Sequence, residues 1–331
     1  MKKFLAISFC VLLVVSLFAM AGCAKKEEQP TTLKFGAGVY VSAPAATDAT
    51  ADKEGTGKVD VTVAAVTVDK DGKIVGCALD TASNTVKFTA DGKAIKNDSF
   101  KTKYELGDDY GMKNPNYGST REWYDHANAF VNLVKGKTLA EVKALVAEGN
   151  KGTDAVISAG CTIMIHEFVG AIEKAYNAAK DSAATAADVL KVTAATEQTC
   201  TDATADKDGS NKVATTVFAA AVNAEGKVVV ASSDCVEVAF TFNTSGASTL
   251  DTTKAVLSKK EQGDSYGMKN PNYGSAREWY DHAAAFDAAC VGKTATEIAA
   301  LQATDGKGVA DLQSAGCTIY VTGFVKAASK I

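Results

Sequence analysis

The chain has 331 residues, with 35 basic and 39 acidic side chains and a formal net charge of −4. No basic patch stands out, so no nucleic-acid partner is expected. Only 3 histidines are present, and no CxxC, CxxCH or other metal-ligand spacing occurs, so neither a zinc site nor a haem is expected.

The first residues predict a compartment. Lys2 and Lys3 precede an apolar run from Phe4 to Met20, the pattern of a secretory signal peptide over residues 1–22. The run ends in Met20-Ala21-Gly22-Cys23, which resembles the bacterial lipobox. That resemblance implies acylation of Cys23 as the new N-terminus, and a lipid-anchored protein on the extracytoplasmic face of the cell membrane. An ordinary signal peptide that happens to contain a cysteine is the alternative. Residues 23–35, with Lys25-Lys26-Glu27-Glu28-Gln29-Pro30, read as a polar tether. Two or three acyl chains anchor where one would not, because each buried methylene contributes about 0.8 kcal/mol.

The rest of the chain repeats itself. Residues 110–126 read YGMKNPNYGSTREWYDH and residues 266–282 read YGMKNPNYGSAREWYDH, identical at all but one position. The same offset of 156 relates the SAGCTI segment at 158–163 to that at 314–319. TDATADK recurs at 47–53 and 201–207, two residues out of step with the later blocks. A period of this length means duplicated domains rather than a solenoid.

Each copy opens with β signals. Val59–Val68 and Lys73–Leu79 flank Asp69-Lys70-Asp71-Gly72, a hairpin turn signal, and Thr85–Thr89 reads as a third run before Asp91-Gly92. Glu225-Gly226 and Ser245-Gly246 mark the same turns in the second copy. Helix signals follow. Ser119 with Glu122 and Ser275 with Glu278 have capping-box spacing, as do Thr138 with Glu141 and Thr294 with Glu297. Trp123, Ala127, Phe130, Val131 and Val134 fall on one helical face. A last helix follows each SAGCTI segment, with Phe168, Val169, Ile172 and Tyr176, or Phe324, Val325 and Ala328, at helical spacing. The expected fold is α+β: two tandem copies of a small domain, each an antiparallel sheet flanked by about three helices. The boundaries are 36–178 and 200–331, with an Ala-rich, partly helical linker at 179–199.

Strands differ between the copies while the YGMKNPNYGS loop and the SAGCTI segment persist. A core tolerates volume-conserving exchange, so near-identity in loops points to a site. The reading at Thr162 and Thr318 has two branches. Either residue suits a helix N-cap. Either also suits phosphate binding, with Gly160 and Gly316 permitting close backbone approach and a helix N-terminus supplying N–H groups. Tyr110, Tyr117, Trp123 and Tyr124, with Tyr266, Tyr273, Trp279 and Tyr280, could stack on an aromatic ligand. Among them Trp123 reads as core, and Tyr110 and Met112, with Tyr266 and Met268, are the better contact candidates. His126 and His282 read as structural. Cys161 and Cys317 are the only equivalent cysteine pair, so no disulfide framework is indicated, and both read as small buried residues.

Asp71-Gly72-Lys73-Ile74-Val75-Gly76, a sheet, and a Ser/Gly-small-Thr segment before a terminal helix resemble the FMN-binding domain family, over roughly 55–178 and 210–330. The tandem arrangement and the YGMK…EWY block are similar to Gram-positive extracellular electron-transfer flavoproteins. The resemblance implies two FMN groups, each joined by a phosphoester to Thr162 or Thr318 through a flavin transferase. It places Gly160, Gly316, Cys161 and Cys317 beside the cofactor. It implies a membrane-anchored electron carrier rather than a substrate-specific enzyme, fed by a membrane electron donor and emptied by extracellular acceptors such as ferric iron or soluble flavin. Cys161 and Cys317 depart from the usual small residue before the threonine, and Asp154 and Asp311 stand further from it than in the family. A non-redox small-ligand-binding or adhesive repeat lipoprotein is the alternative, and a reductase with its own substrate pocket is a second.

Overall fold

The computed structural model describes residues 31–114, 116 and 118–331. The signal peptide, Cys23, residues 23–30 of the tether and Tyr117 lie outside the described residues, as does the side chain of Tyr273. The first half builds strands β1 (Thr32–Val41), β2 (Ala45–Thr47), β3 (Gly55–Val68), β4 (Ile74–Phe88) and β5 (Ala94–Ile95). Helices α1 (Lys103–Leu106), α2 (Trp123–Val134), α3 (Leu139–Lys143), α4 (Asp154–Ala159) and α5 (His166–Asn177) follow. Then come β6 (Lys180–Thr185), β7 (Val189–Thr201), β8 (Gly209–Val222) and β9 (Val228–Phe242). The chain ends with α6 (Lys259–Gln262), α7 (Trp279–Cys290), α8 (Ala295–Ala299), α9 (Ala310–Ser314) and α10 (Thr322–Ala328). Every strand pairing is antiparallel, in the orders β5-β4-β3-β1-β6 and β7-β8-β9, with β2 added to β3. The fold is α+β.

The apolar run Val61–Val68, interrupted only by threonines, is buried on both faces of β3. Alternation assigns each face. Ala64, Val66 and Val68 pack under the first set of helices. Val59, Val61 and Val63 meet Val213, Val217 and Phe240 of the other sheet. β8 is built the same way, with Phe218, Ala220 and Val222 under the second set of helices. Two sheets thus face each other across a shared apolar layer, each with its helices on the outer side, and residues 31–331 pack as one unit.

Contacts between the halves come in reciprocal pairs. Ala49 N–H donates to Gly246 O at 2.8 Å, and Ala203 N–H to Gly92 O at 2.8 Å. Ala94 N–H donates to Asp202 Oδ1 at 2.9 Å, and Ser248 N–H to Asp48 Oδ1 at 2.8 Å. Lys174 pairs with Glu261 at 2.5 Å, and Lys330 with Glu105 at 2.7 Å. Equivalent residues exchange roles each time, the pattern of a two-fold interface.

Several expectations change. The segment 179–199 is not a helical linker: it contains β6, which closes the first sheet against β1, and most of β7, which opens the second. Its alternating exposed and intermediate residues suit edge strands. β1 starts at Thr32, inside the predicted tether. Thr85–Phe88 continues β4 instead of forming a third strand, and among the described residues each half carries five α-helices rather than about three. The Asp69–Lys73 and Asn223–Lys227 turns are as expected, with backbone bonds of 2.9 Å closing both.

Gly36 and Gly38 explain how α5 sits on β1. A Cβ at Gly38 would lie 2.3 Å from Ala175 N, and one at Gly36 would lie 2.0 Å from Ala175 O, so helix backbone rests directly on strand backbone. Gly38→Val is expected to destabilise the protein by about 1–3 kcal/mol through overpacking. A thermal-melting comparison with wild type would measure it, and an unchanged midpoint would contradict the close approach.

Candidate functional site

The SAGCT segment begins as a helix end. Gly160 adopts φ 102° after α4, donating to Ile157 O at 2.9 Å, while Cys161 N–H donates to Val156 O at 3.1 Å. Gly316 adopts φ 111° and closes α9 in the same way, with bonds of 3.0 and 3.1 Å to Gln313 O and Leu312 O. This pairing is a Schellman stop, and the left-handed residue in it favours glycine. The turn drives Cys161 and Cys317 into the cores, where burial pushes each thiol pKa up to about 11. Both are therefore protonated and poorly nucleophilic near neutral pH. The next residues, Thr162 and Thr318, are exposed.

Neither threonine caps a helix. α5 begins at His166 with Ile165 as its cap residue, and α10 begins at Thr322 with Val321. Three residues separate each threonine from the first residue of the helix that the sequence suggested it would open. The N-cap reading falls with that, and so does the argument from a helix N-terminus.

Buried histidines hold these loops. His126 Nδ1 lies 3.1 Å from Gly160 O and 3.3 Å from Thr162 N, and its Nε2 lies 3.3 Å from Ser119 Oγ. His282 repeats this with Gly316 O at 2.9 Å, Thr318 N at 3.3 Å and Ser275 Oγ at 3.3 Å. Burial lowers the pKa of both rings, favouring the neutral imidazole. Ser119 and Ser275 therefore serve the histidines and the Arg121 or Arg277 backbone, and do not cap α2 or α7. Glu122 and Glu278 are the cap residues. The Glu122 carboxylate accepts from Met112 N at 2.9 Å and Lys113 N at 3.0 Å, and Glu278 does the same for Met268 and Lys269. The repeated REWYDH block is thus what fastens both the YGMK loop and the SAGCT loop to one helix. Thr138 with Glu141 and Thr294 with Glu297 form the expected capping boxes.

Tyr110 and Met112, like Tyr266 and Met268, are half-buried against their cores, and Trp123 and Trp279 are buried. In the second half these residues converge. Thr318, Met268, Trp279 and Phe324 line one cavity of about 730 Å³. An adjoining cavity of about 450 Å³ shares Met268 and Ile319 with it and adds Tyr266 and Ser275. Both volumes suit a small organic ligand. A separate cleft of about 520 Å³, bordered by Asp80, Tyr104, Asn128 and Lys330, contains none of the ligand-contact candidates named from sequence. Burial raises the Asp80 pKa to about 6, and its carboxylate accepts the Tyr104 N–H at 3.2 Å, a bond that Asp234 repeats with Lys260. That recurrence makes Asp80 a structural anchor for α1.

Sequence reasoning missed one pair of residues. Lys103 and Lys259 are buried. Lys103 Nζ lies 5.4 Å from the Tyr110 ring centre and 5.5 Å from that of Trp123. Lys259 Nζ lies 4.9 Å from Tyr266 and 5.5 Å from Trp279, and it lines the cavity that holds Thr318. Such contacts are cation–π interactions. Burial opposes the Lys259 charge, but Cys235, Tyr266 and Glu237 outweigh it and hold its pKa above the ordinary lysine value. The offset of 156 relates the two lysines, but their flanking residues differ, so no repeated block marked them.

Comparison with protein families, with curated proteins and with solved structures finds no match to this chain.

Proposed function

We propose that the protein is a lipid-anchored, extracytoplasmic electron carrier built from two copies of one flavin-bearing domain, with FMN joined through a phosphoester to Thr162 and Thr318. One observation carries the reading: an exposed threonine hydroxyl stands beside a buried cysteine in both SAGCT loops, and at Thr318 it opens onto a cavity lined by Trp279, Met268 and Lys259. This donor set fits the group. An exposed hydroxyl is accessible to a modifying transferase. Aromatic and thioether side chains suit a flat, largely apolar ring.

In this reading the chain's residues position and the flavin reacts. Bound flavin supplies one- and two-electron redox chemistry. His126 and His282 set the backbone at the acceptor threonine, and Glu122 and Glu278 hold the loops bearing Tyr110 and Tyr266 against the site. The acylated Cys23 keeps the carrier at the membrane. A membrane electron donor supplies it, and ferric iron or soluble flavin drains it.

Co-expression of the mature chain with a flavin transferase, followed by intact mass measurement, tests the proposal. Wild type is expected to carry two FMN adducts, Thr162→Ala or Thr318→Ala one, and the double variant none. Absence of any adduct, or two adducts on the double variant, would overturn it.

A further inference from the structure

Lys103 and Lys259 keep the same position while their counter-ions have changed strands. Lys103 pairs with Asp60 Oδ2 at 3.4 Å, and Lys259 pairs with Glu237 Oε1 at 3.0 Å. Asp60 stands on β3 and Glu237 on β9. In the first sheet Asp60 faces Ser83, and in the second Ala214 faces Glu237, at the same cross-strand position. A flanking lysine, Lys58 or Lys212, also recurs, at 3.9 Å from Asp60 and 3.0 Å from Glu237. The acid is thus replaceable in position, and the buried ammonium is not. Stability alone gives no reason to retain it, since a buried ion pair is often replaceable by apolar residues at no loss. Retention beside Tyr110 and Trp123, and beside Tyr266, Trp279 and the Thr318 cavity, points to the ligand.

We infer that Lys259, and Lys103 in the other half, is the positioning charge that stabilises the negative charge a flavin ring acquires on reduction, which rests on the flavin reading above. Two electrons and one proton entering the oxidised ring from a quinol-class donor leave it with one negative charge, and the donor leaves as quinone, releasing its second proton to solvent. The lysine stays protonated throughout and gives up no proton. Its charge acts from a buried place in the cavity wall, where solvent screens it less than at an exposed site. The lysine therefore makes the bound flavin easier to reduce.

The test uses the full chain carrying Thr162→Ala, so that only Thr318 is loaded, with FMN attached by the transferase. Spectroelectrochemical titration of Lys259→Met is expected to show a reduced-to-oxidised ratio at least tenfold lower than its parent at one fixed potential. Sulfite, which adds to an oxidised flavin ring and leaves it anionic, is expected to bind at least tenfold more weakly. Lys259→Arg is expected to stay within about threefold of the parent in both measurements, restoring charge without the same shape. Lys212 remains to pair Glu237 in the methionine variant, which limits the structural penalty. An unchanged titration in loaded Lys259→Met would overturn the inference, as would a loss equal in the arginine and methionine variants. Failure of the parent to load FMN would instead strike the flavin reading itself.

Discussion

Phe88→Ala is expected to destabilise the whole described unit by about 3–5 kcal/mol, the range for deleting a buried aromatic side chain. Phe88 ends β4 and Phe242 ends β9, and the two rings stack with centres 4.4 Å apart and planes 4° from parallel. Both are fully buried, with Ala49 beside them. The ring of each half is thus wall and neighbour for the ring of the other. Phe242→Ala should cost a similar amount. The double variant should cost less than the sum, by about 0.5–1.5 kcal/mol, because the ring–ring term is counted in both singles. Urea unfolding followed by tryptophan fluorescence measures this. The chain has 2 tryptophans, Trp123 and Trp279, one under each set of helices. With either replaced by phenylalanine, the remaining one reports on its own half. Phe88→Ala should lower the midpoint seen by Trp279 as much as that seen by Trp123. A shift confined to Trp123 would mean that the halves unfold independently.

A second large effect is expected at the buried lysine. Asp60→Ala removes the carboxylate facing Lys103 and the acceptor of Ser83 Oγ at 2.6 Å. Breaking a buried ion pair by removing one partner costs about 3–5 kcal/mol, and the partial exposure of Asp60 sets the expectation near the lower end. The second half contains the remedy. Ala214 and Glu237 show that an alanine on the central strand is compatible with a carboxylate on its neighbour. Adding Ser83→Glu to Asp60→Ala should therefore recover at least half of the lost stability. Denaturant melts of the single and double variants decide the matter. A double variant no more stable than Asp60→Ala would show that the two cross-strand positions are not equivalent.

The sequence made the strands, turns and helix faces legible because each carries a local signal. Asp69–Gly72 and Glu225–Gly226 turn where those residues predict, and Trp123, Ala127, Phe130 and Val134 bury as one helical face. The meeting of the two sheets was less visible. Its mark was the run Val61–Val68, where no charged residue appears and the only polar members are threonines, and that pattern reports two-sided burial without naming the second layer. β6 and β7 were hidden for the opposite reason. Their alanine, threonine and lysine content belongs equally to a linker and to a half-exposed edge, and only pairing with β1 and β8 distinguishes them. At the site, repetition located the two loops and the threonines. It did not reveal that the loops begin with a helix stop, nor that Ser119 serves a histidine. Ser119 and Glu122 have capping-box spacing, yet Ser119 meets His126 seven residues on and Glu122 is itself the cap residue. Lys103 was illegible because its meaning lies across the sheet, in an acid that each half supplies from a different strand.

The two-sided burial of β3 also governs how the protein can be made. A chain emerging from its N-terminus completes β1, β3 and β4 long before β8 and β9 exist. Val59, Val61 and Val63 then form an open apolar face whose proper cover lies more than a hundred residues downstream. The same face on a neighbouring nascent chain is a ready substitute, since the proper cover is likewise an antiparallel sheet presenting valines. Synthesis therefore sets a race between closure within one molecule and pairing between two. Carrying both halves on one chain keeps the partner at high local concentration and tilts that race toward the single molecule.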